Sequence, residues 1–272
     1  MIRTTPEQRD EMRRAAQQPK NLYRNEKVWT LLVADALDRA PDQGEMCRQL
    51  CGQDVALPHR LDVWFEAQPA SPRKGTRGQT EGNTRLDMAF GSVAQRGSTG
   101  AGIAYGAHRE DSWACFVESK CFSDVSSTVS YDPRRNQLTR VIENALCFRG
   151  QGGAPAKLFI TLLTPRVFME DPFGRRSRLY GYKMDEYKGD PSAIRRDIDG
   201  CSIDWRVKGL NLDEAISRLH LNWVSFEDLL EPQLGTGLDI TRNPSQVTNL
   251  ADLVREASTR ASDDAAAVPL EG

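Results

Sequence analysis

Three apolar runs organise the hydrophobic pattern of this chain. Arg85-Leu86-Asp87-Met88-Ala89-Phe90 is short and interrupted once, by an aspartate. Trp113-Ala114-Cys115-Phe116-Val117 is aromatic, β-branched or small throughout and closes on Glu118-Ser119-Lys120. Leu158 to Leu163 is nearly continuous, as expected of a strand covered on both faces. The first two runs read as a hairpin. Between the second and third, Leu138, Val141, Ile142, Ala145 and Leu146 recur at helical spacing. Asp132-Pro133 offers a helix start, as N-cap and first helical residue, and Gly150, Gly152 and Gly153 offer its end. Strand, helix, strand in this order predicts a right-handed crossover into a parallel pair. Upstream, Glu26 opens an amphipathic helix whose apolar face is Trp29, Leu32, Val33, Ala36, Leu37 and Ala40.

The remaining pattern is weaker. Residues 91–102, with four glycines and two serines, read as a flexible loop on the hairpin. Leu212, Ala215, Ile216 and Leu219 suggest a short helix, and residues 222–230 a strand followed by a turn of helix. Leu250, Leu253 and Val254 support another helix, and residues 259–272 read as a flexible tail.

The ends of the first two runs carry the candidate chemistry. In a strand, residues two apart share a face, so Glu118 and Lys120 project together. Paired as a hairpin, Asp87 and Glu118 could share one divalent metal with Lys120 beside them. Phosphodiester hydrolysis uses that combination: two carboxylates hold the metal, and a lysine supports the nucleophile or the developing charge. The tripeptide alone is a weak signal. With 38 acidic residues in 272, about one acidic-x-Lys match arises by chance. A second copy, Glu186-Tyr187-Lys188, indeed lies in a polar stretch that looks helical or looped. The plainer reading of Glu118 and Lys120 is a cross-strand ion pair on a solvated face.

With these segments in order, the chain resembles the PD-(D/E)xK nuclease superfamily across roughly residues 25–165. That likeness implies an α/β fold with a restriction-endonuclease-like core: a helix, an antiparallel three-stranded meander, a helix and a further strand. The expectation is one domain over 1–258. A central mixed sheet would be flanked by helices, and residues 166–258 would form a C-terminal extension. Asp87 matches the family's aspartate, and Glu118 and Lys120 match its (D/E)xK pair. Glu26 looks like the acidic residue that many members carry on the first helix, and Gln137 like a glutamine found in some branches after the motif. The implied catalytic set is Asp87, Glu118, Lys120 and Gln137. The implied ligands for Mg²⁺ or Mn²⁺ are Asp87, Glu118, the Ser119 carbonyl and Glu26. Leu86 stands where proline is common, and the 31 residues from Asp87 to Glu118 are a long separation.

A net charge of −2 means that a nucleic-acid partner must be held by local patches. Arg73, Lys74 and Arg77 form one, Arg134, Arg135 and Arg140 a second, and Arg175, Arg176 and Arg178 a third. DNA is the expected partner, with a homodimer or a larger complex for double-strand cutting. The alternative class is a catalytically silent nucleic-acid or protein-binding module of the same fold. Cys47 and Cys51 lack a second ligand pair at finger spacing, which argues against zinc. His59, His108 and His220 adjoin no recognisable nucleophile, so Ser-His and Cys-His chemistry has no support. No apolar run approaches 18 residues and no signal-peptide pattern opens the chain, so a cytoplasmic location is expected.

Overall fold

The structure, a computed structural model, describes residues 1–18, 22–73, 84–106, 111–129, 132–151, 153–170, 178–201, 210–241, 247 and 249–261. The chain opens with β1 (Ile2–Arg3), α1 (Pro6–Ala16), α2 (Glu26–Arg39) and α3 (Gln43–Cys51). β2 (Val63–Pro69), β3 (Leu86–Gly91), β4 (Val93–Gln95), β5 (Gly102–Tyr105) and β6 (Trp113–Ser119) follow. α4 (Gln137–Leu146) leads into β7 (Lys157–Thr164). Helices α5 (Val167–Glu170), α6 (Leu179–Gly189), α7 (Ser192–Asp199) and α8 (Leu212–Ser217) precede β8 (Leu219–Ser225). α9 (Phe226–Leu234) and α10 (Leu250–Arg260) complete the described elements.

The strands form one mixed, eight-stranded sheet in the order β4-β5-β2-β3-β6-β7-β8, with β1 also paired to β2. β2, β3 and β6 are an antiparallel meander. β6, β7 and β8 run parallel, joined through α4 and then through α5 to α8. Helices cover both faces. α1, α2, α3, α9 and α10 enclose one core with Trp113, Cys115 and Val117. α4, α6, α7 and α8 enclose the other with Ala114, Phe116, Ile160 and Leu162. Two-sided cover is why β6 and β7 are apolar along their length instead of alternating.

Four expectations change. The helix after Lys120 begins at Gln137 rather than at Asp132-Pro133. Asn136 is its N-cap, accepting the Thr139 N–H at 2.9 Å. Asp132 instead pairs with Val129, and its carboxylate accepts the Arg134 N–H at 3.0 Å in the turn around Pro133, since Asp and Pro suit turns as well as caps. That helix also ends earlier, at Leu146, while Gly150 and Gly153 pair across a separate turn and Gly152 lies outside the described residues. Residues 91–102 are not simply a loop: they include β4, whose partner β5 starts at Gly102, and β5 adds to the edge of β2. Gly91 makes the entry possible, with φ 101° and no room for a Cβ against Trp113. Finally, α2 is not amphipathic in place, because every residue from Val28 to Leu37 is buried. β8 extends the sheet beyond β7, as the C-terminal pattern allowed. The tail from 262 onward lies outside the described residues.

Candidate active site

The pairing of β3 with β6 fixes the first contact. The register Met88↔Val117, carried one residue further, sets Asp87 opposite Glu118. Asp87 Oδ2 accepts the Ser119 N–H at 2.7 Å, which ties the end of β6 to β3. Glu118 shares its face with Phe116 and meets α4, where Gln137 Nε2 donates to Glu118 Oε1 at 2.5 Å. The amide of Gln137 is oriented from both ends, because its Oε1 accepts the Ser126 N–H at 3.2 Å. α4 therefore brings its N-terminus, the positive end of its dipole, up to a buried carboxylate.

α2 approaches from the opposite face. Glu26, in its first turn, accepts from Ser123 Oγ at 3.2 Å. One turn on, Thr30 Oγ1 lies 2.8 Å from both the Glu26 carbonyl oxygen and Ser119 Oγ. Lys120 joins the two sides. Its Nζ lies 2.7 Å from Glu118 Oε1, 3.6 Å from Glu26 Oε1, and donates to the Ser119 carbonyl at 2.9 Å. Glu118 is 2% exposed and Lys120 4%, which removes the solvated surface ion pair as an account of them.

Burial sets the electrostatics. Loss of water, then the charge of Glu118, push the Asp87 carboxyl well above its usual range against the pull of Lys120 and the Ser119 N–H. Burial also raises Glu118, opposed chiefly by Lys120. For Lys120, burial works to lower the value, but Glu118, Asp87 and Glu26 together outweigh it and raise it. Lys120 therefore stays an ammonium here.

This donor set fits a hard divalent cation by its chemistry, being all oxygen. Two carboxylates oppose each other across β3 and β6, and Asp87 Oδ1 and Glu118 Oε2 take no hydrogen bond among the described residues. The ammonium of Lys120 already touches three of the four expected ligands: Glu118, the Ser119 carbonyl and Glu26. The same oxygens that would attract a metal now surround the lysine. Among the described residues no three His, Cys, Asp or Glu side chains stand ready as a metal group.

The basic residues divide. Arg73 and Arg135 are each 1% exposed, and both guanidiniums pair with the buried Glu143 of α4. This corrects the assignment of Arg73 and Arg135 to a phosphate-binding surface: a buried carboxylate holds both side chains. Arg134 is exposed. Arg140 is half-buried, donates Nε to Thr84 Oγ1 at 2.9 Å, and its charge lowers the Glu118 carboxyl. Lys74, Arg77, Arg175 and Arg176 lie outside the described residues.

Sequence reasoning missed Thr30, Ser123 and Ser126, which brace Glu26, Ser119 and Gln137. Thr30 had a faint signal, four residues from Glu26 on one helix face. Ser123 and Ser126 had none. Cys47, Cys51, Cys115 and Cys121 are free and buried, and burial raises the thiols of Cys47, Cys51 and Cys121. Two cavities, of about 660 and 240 Å³, lie elsewhere, beside β8 and beside Trp113. No described helix is long and apolar enough to cross a membrane. Comparison with family models, with curated proteins and with solved structures returns no match for this chain.

Proposed function

We propose that the protein is a metal-dependent nuclease that hydrolyses phosphodiester bonds in DNA. The observation that carries this reading is the convergence at one end of the sheet. Two carboxylates, Asp87 and Glu118, oppose each other on adjacent strands, with the buried Lys120 ammonium against Glu118. The succession α2, the β2–β3–β6 meander, α4 and the parallel β7 is the order expected from the likeness to PD-(D/E)xK nucleases, and supports it as the fold family. Asp87, Glu118, the Ser119 carbonyl and Glu26 would hold Mg²⁺ or Mn²⁺. Such an ion polarises the phosphate and acidifies water when bound.

The chain's own groups supply the rest. Lys120 is held against Glu118 at 2.7 Å, and its role is to orient the attacking water and offset charge developing on the phosphate. Gln137, fixed by Ser126, holds Glu118 in place and is near enough to position water. Arg140 adds positive potential beside Glu118.

The test is cleavage of supercoiled plasmid and of linear single-stranded DNA with Mg²⁺, Mn²⁺ or EDTA. Metal-dependent cleavage should fall roughly 10²–10³-fold in Asp87→Ala and in Lys120→Ala. One observation favours a second reading, a silent binding module: Lys120 already neutralises the oxygens that a metal would need. DNA binding without cleavage under every metal, unchanged in both variants, would select that reading.

A further inference from the structure

The loop leaving β6 carries an aromatic side chain that the site geometry does not require. Phe122 lies two residues past Lys120 and is 38% exposed, the first of three exposed residues between the buried Cys121 and Val125. Isolated exposed apolar residues are ordinary. This one is held in place by its neighbours. Cys121 Sγ contacts the Tyr23 carbonyl at 3.8 Å. Ser123 Oγ donates to Glu26, and the Ser123 carbonyl accepts from Arg178 Nη1 at 3.3 Å. The Asp124 carboxylate accepts the Leu179 and Tyr180 N–H groups at the start of α6, at 2.7 and 3.2 Å. Phe122 is therefore fixed one residue from a partner of a site carboxylate.

A second aromatic meets it. Tyr23, just before α2, packs edge-to-face with Phe122, with ring centroids 6.5 Å apart and planes at 89°. The guanidinium of the exposed Arg24 lies 5.5 Å from the Tyr23 ring centroid. Across the loop, Arg178 lies 3.9 Å from the centroid of the Phe168 ring. Aromatic rings with guanidiniums at hand suit a nucleotide whose base is not stacked in a duplex: rings take the base, and the cation takes the phosphate. A base inside a duplex already has both faces covered and would have to be extruded first.

We infer that Tyr23, Phe122 and Arg24 form a shelf that stacks an unpaired base of a single-stranded nucleic acid beside the Asp87–Glu118 site. The inference rests on the nuclease reading and narrows its substrate to single strands or strands with unpaired ends. Phe122 supplies the stacking surface, Tyr23 supports it from the side, and Arg24 contacts the backbone.

Binding measured in EDTA tests this without cleavage. Fluorescence anisotropy would use labelled oligothymidine, labelled oligouridine and a labelled DNA duplex of equal length. The wild-type protein should bind single strands more tightly than duplex. Phe122→Ala should weaken single-strand binding roughly tenfold and leave duplex binding unchanged, while Phe122→Trp restores it. Matching melting temperatures would show that the exposed substitution leaves the fold intact. Wild-type-like single-strand binding by Phe122→Ala, an equal loss on duplex, or no single-strand binding by the wild type would overturn the shelf. Cleavage unaffected by Phe122→Ala would remove the shelf and keep the nuclease. Shelf-dependent binding with no cleavage under Mg²⁺ or Mn²⁺ would do the reverse.

Discussion

Glu143 shows how much one residue can hold. It is fully buried on α4, with Arg73 and Arg135 both turned onto it and Arg73 Nη2 also donating to the Ile198 carbonyl at 3.2 Å. Together these contacts join the segment after β2, the turn before α4, and α7. Glu143→Ala would leave two guanidiniums buried without their counter-charge and should cost about 3–5 kcal/mol in chemical denaturation. Asp87 is the opposite case, a residue placed where the fold alone would not choose it. Its folded pKa lies above the unfolded value, because of burial and the facing Glu118. Its contribution to stability is therefore full below about pH 4 and is lost as pH rises through the folded value. Asp87→Asn should raise the melting temperature of the metal-free protein at neutral pH, with the gain vanishing as pH falls toward 4. A wild-type protein that is the more stable of the two at neutral pH in EDTA would refute the unfavourable burial of that charge.

At the scale of elements, α4 does most to build the site. Its apolar stripe was legible because 3.6-residue periodicity is local, and Leu138, Val141, Ile142, Ala145 and Leu146 are all buried. Its first residue was not legible, since Asp132-Pro133 offers the same local signals to a turn and to a helix. Asn136→Ala removes the cap that fixes Gln137 as the first helical residue. It should cost about 1 kcal/mol and speed hydrogen exchange at the Thr139 amide, read by NMR. β4 and β5 show the limit of local pattern. Two short strands, Val93–Gln95 and Gly102–Tyr105, flank the Gly- and Ser-rich residues 96–101 and form because they pair with each other and because β2 presents an open edge at residues 68 and 69. Near that edge, Glu66 takes φ 47°, where β2 passes from β1 on one side of it to β5 on the other. Lys27 of α2 pairs with its carboxylate at 2.8 Å.

At the scale of the molecule, the carboxylates sit where two packing layers meet the end of one sheet. α2 brings Glu26 and Thr30 from one face, and α4 brings Gln137 and Arg140 from the other. Between them Lys120 bridges Glu118 and Glu26. Neither helix alone makes a site. A divalent ion taken up there would couple both layers through the strand ends and so favour the folded state. Titration with Mg²⁺ or Mn²⁺ should raise the wild-type melting temperature and leave that of Asp87→Asn unchanged. An equal shift in both proteins would place the ion elsewhere.

The amino-acid sequence by itself determined that the apolar runs at 85–90, 113–117 and 158–163 are strands, that a helix lies between the last two, and that Glu118 groups with Lys120. Each follows from periodicity or strand alternation over a few residues. It also picked out Asp87 as the one acid in an apolar strand. Tertiary structure decided the rest. The β3–β6 register, not the spacing of 31 residues, put Asp87 opposite Glu118. Packing from both faces buried Lys120 and made its charge a bridge rather than a surface pair. Arg73 and Arg135 read as a basic surface until folding supplied Glu143. Charge runs are local in sequence, but whether a charge meets water or a buried counter-charge depends on distant segments.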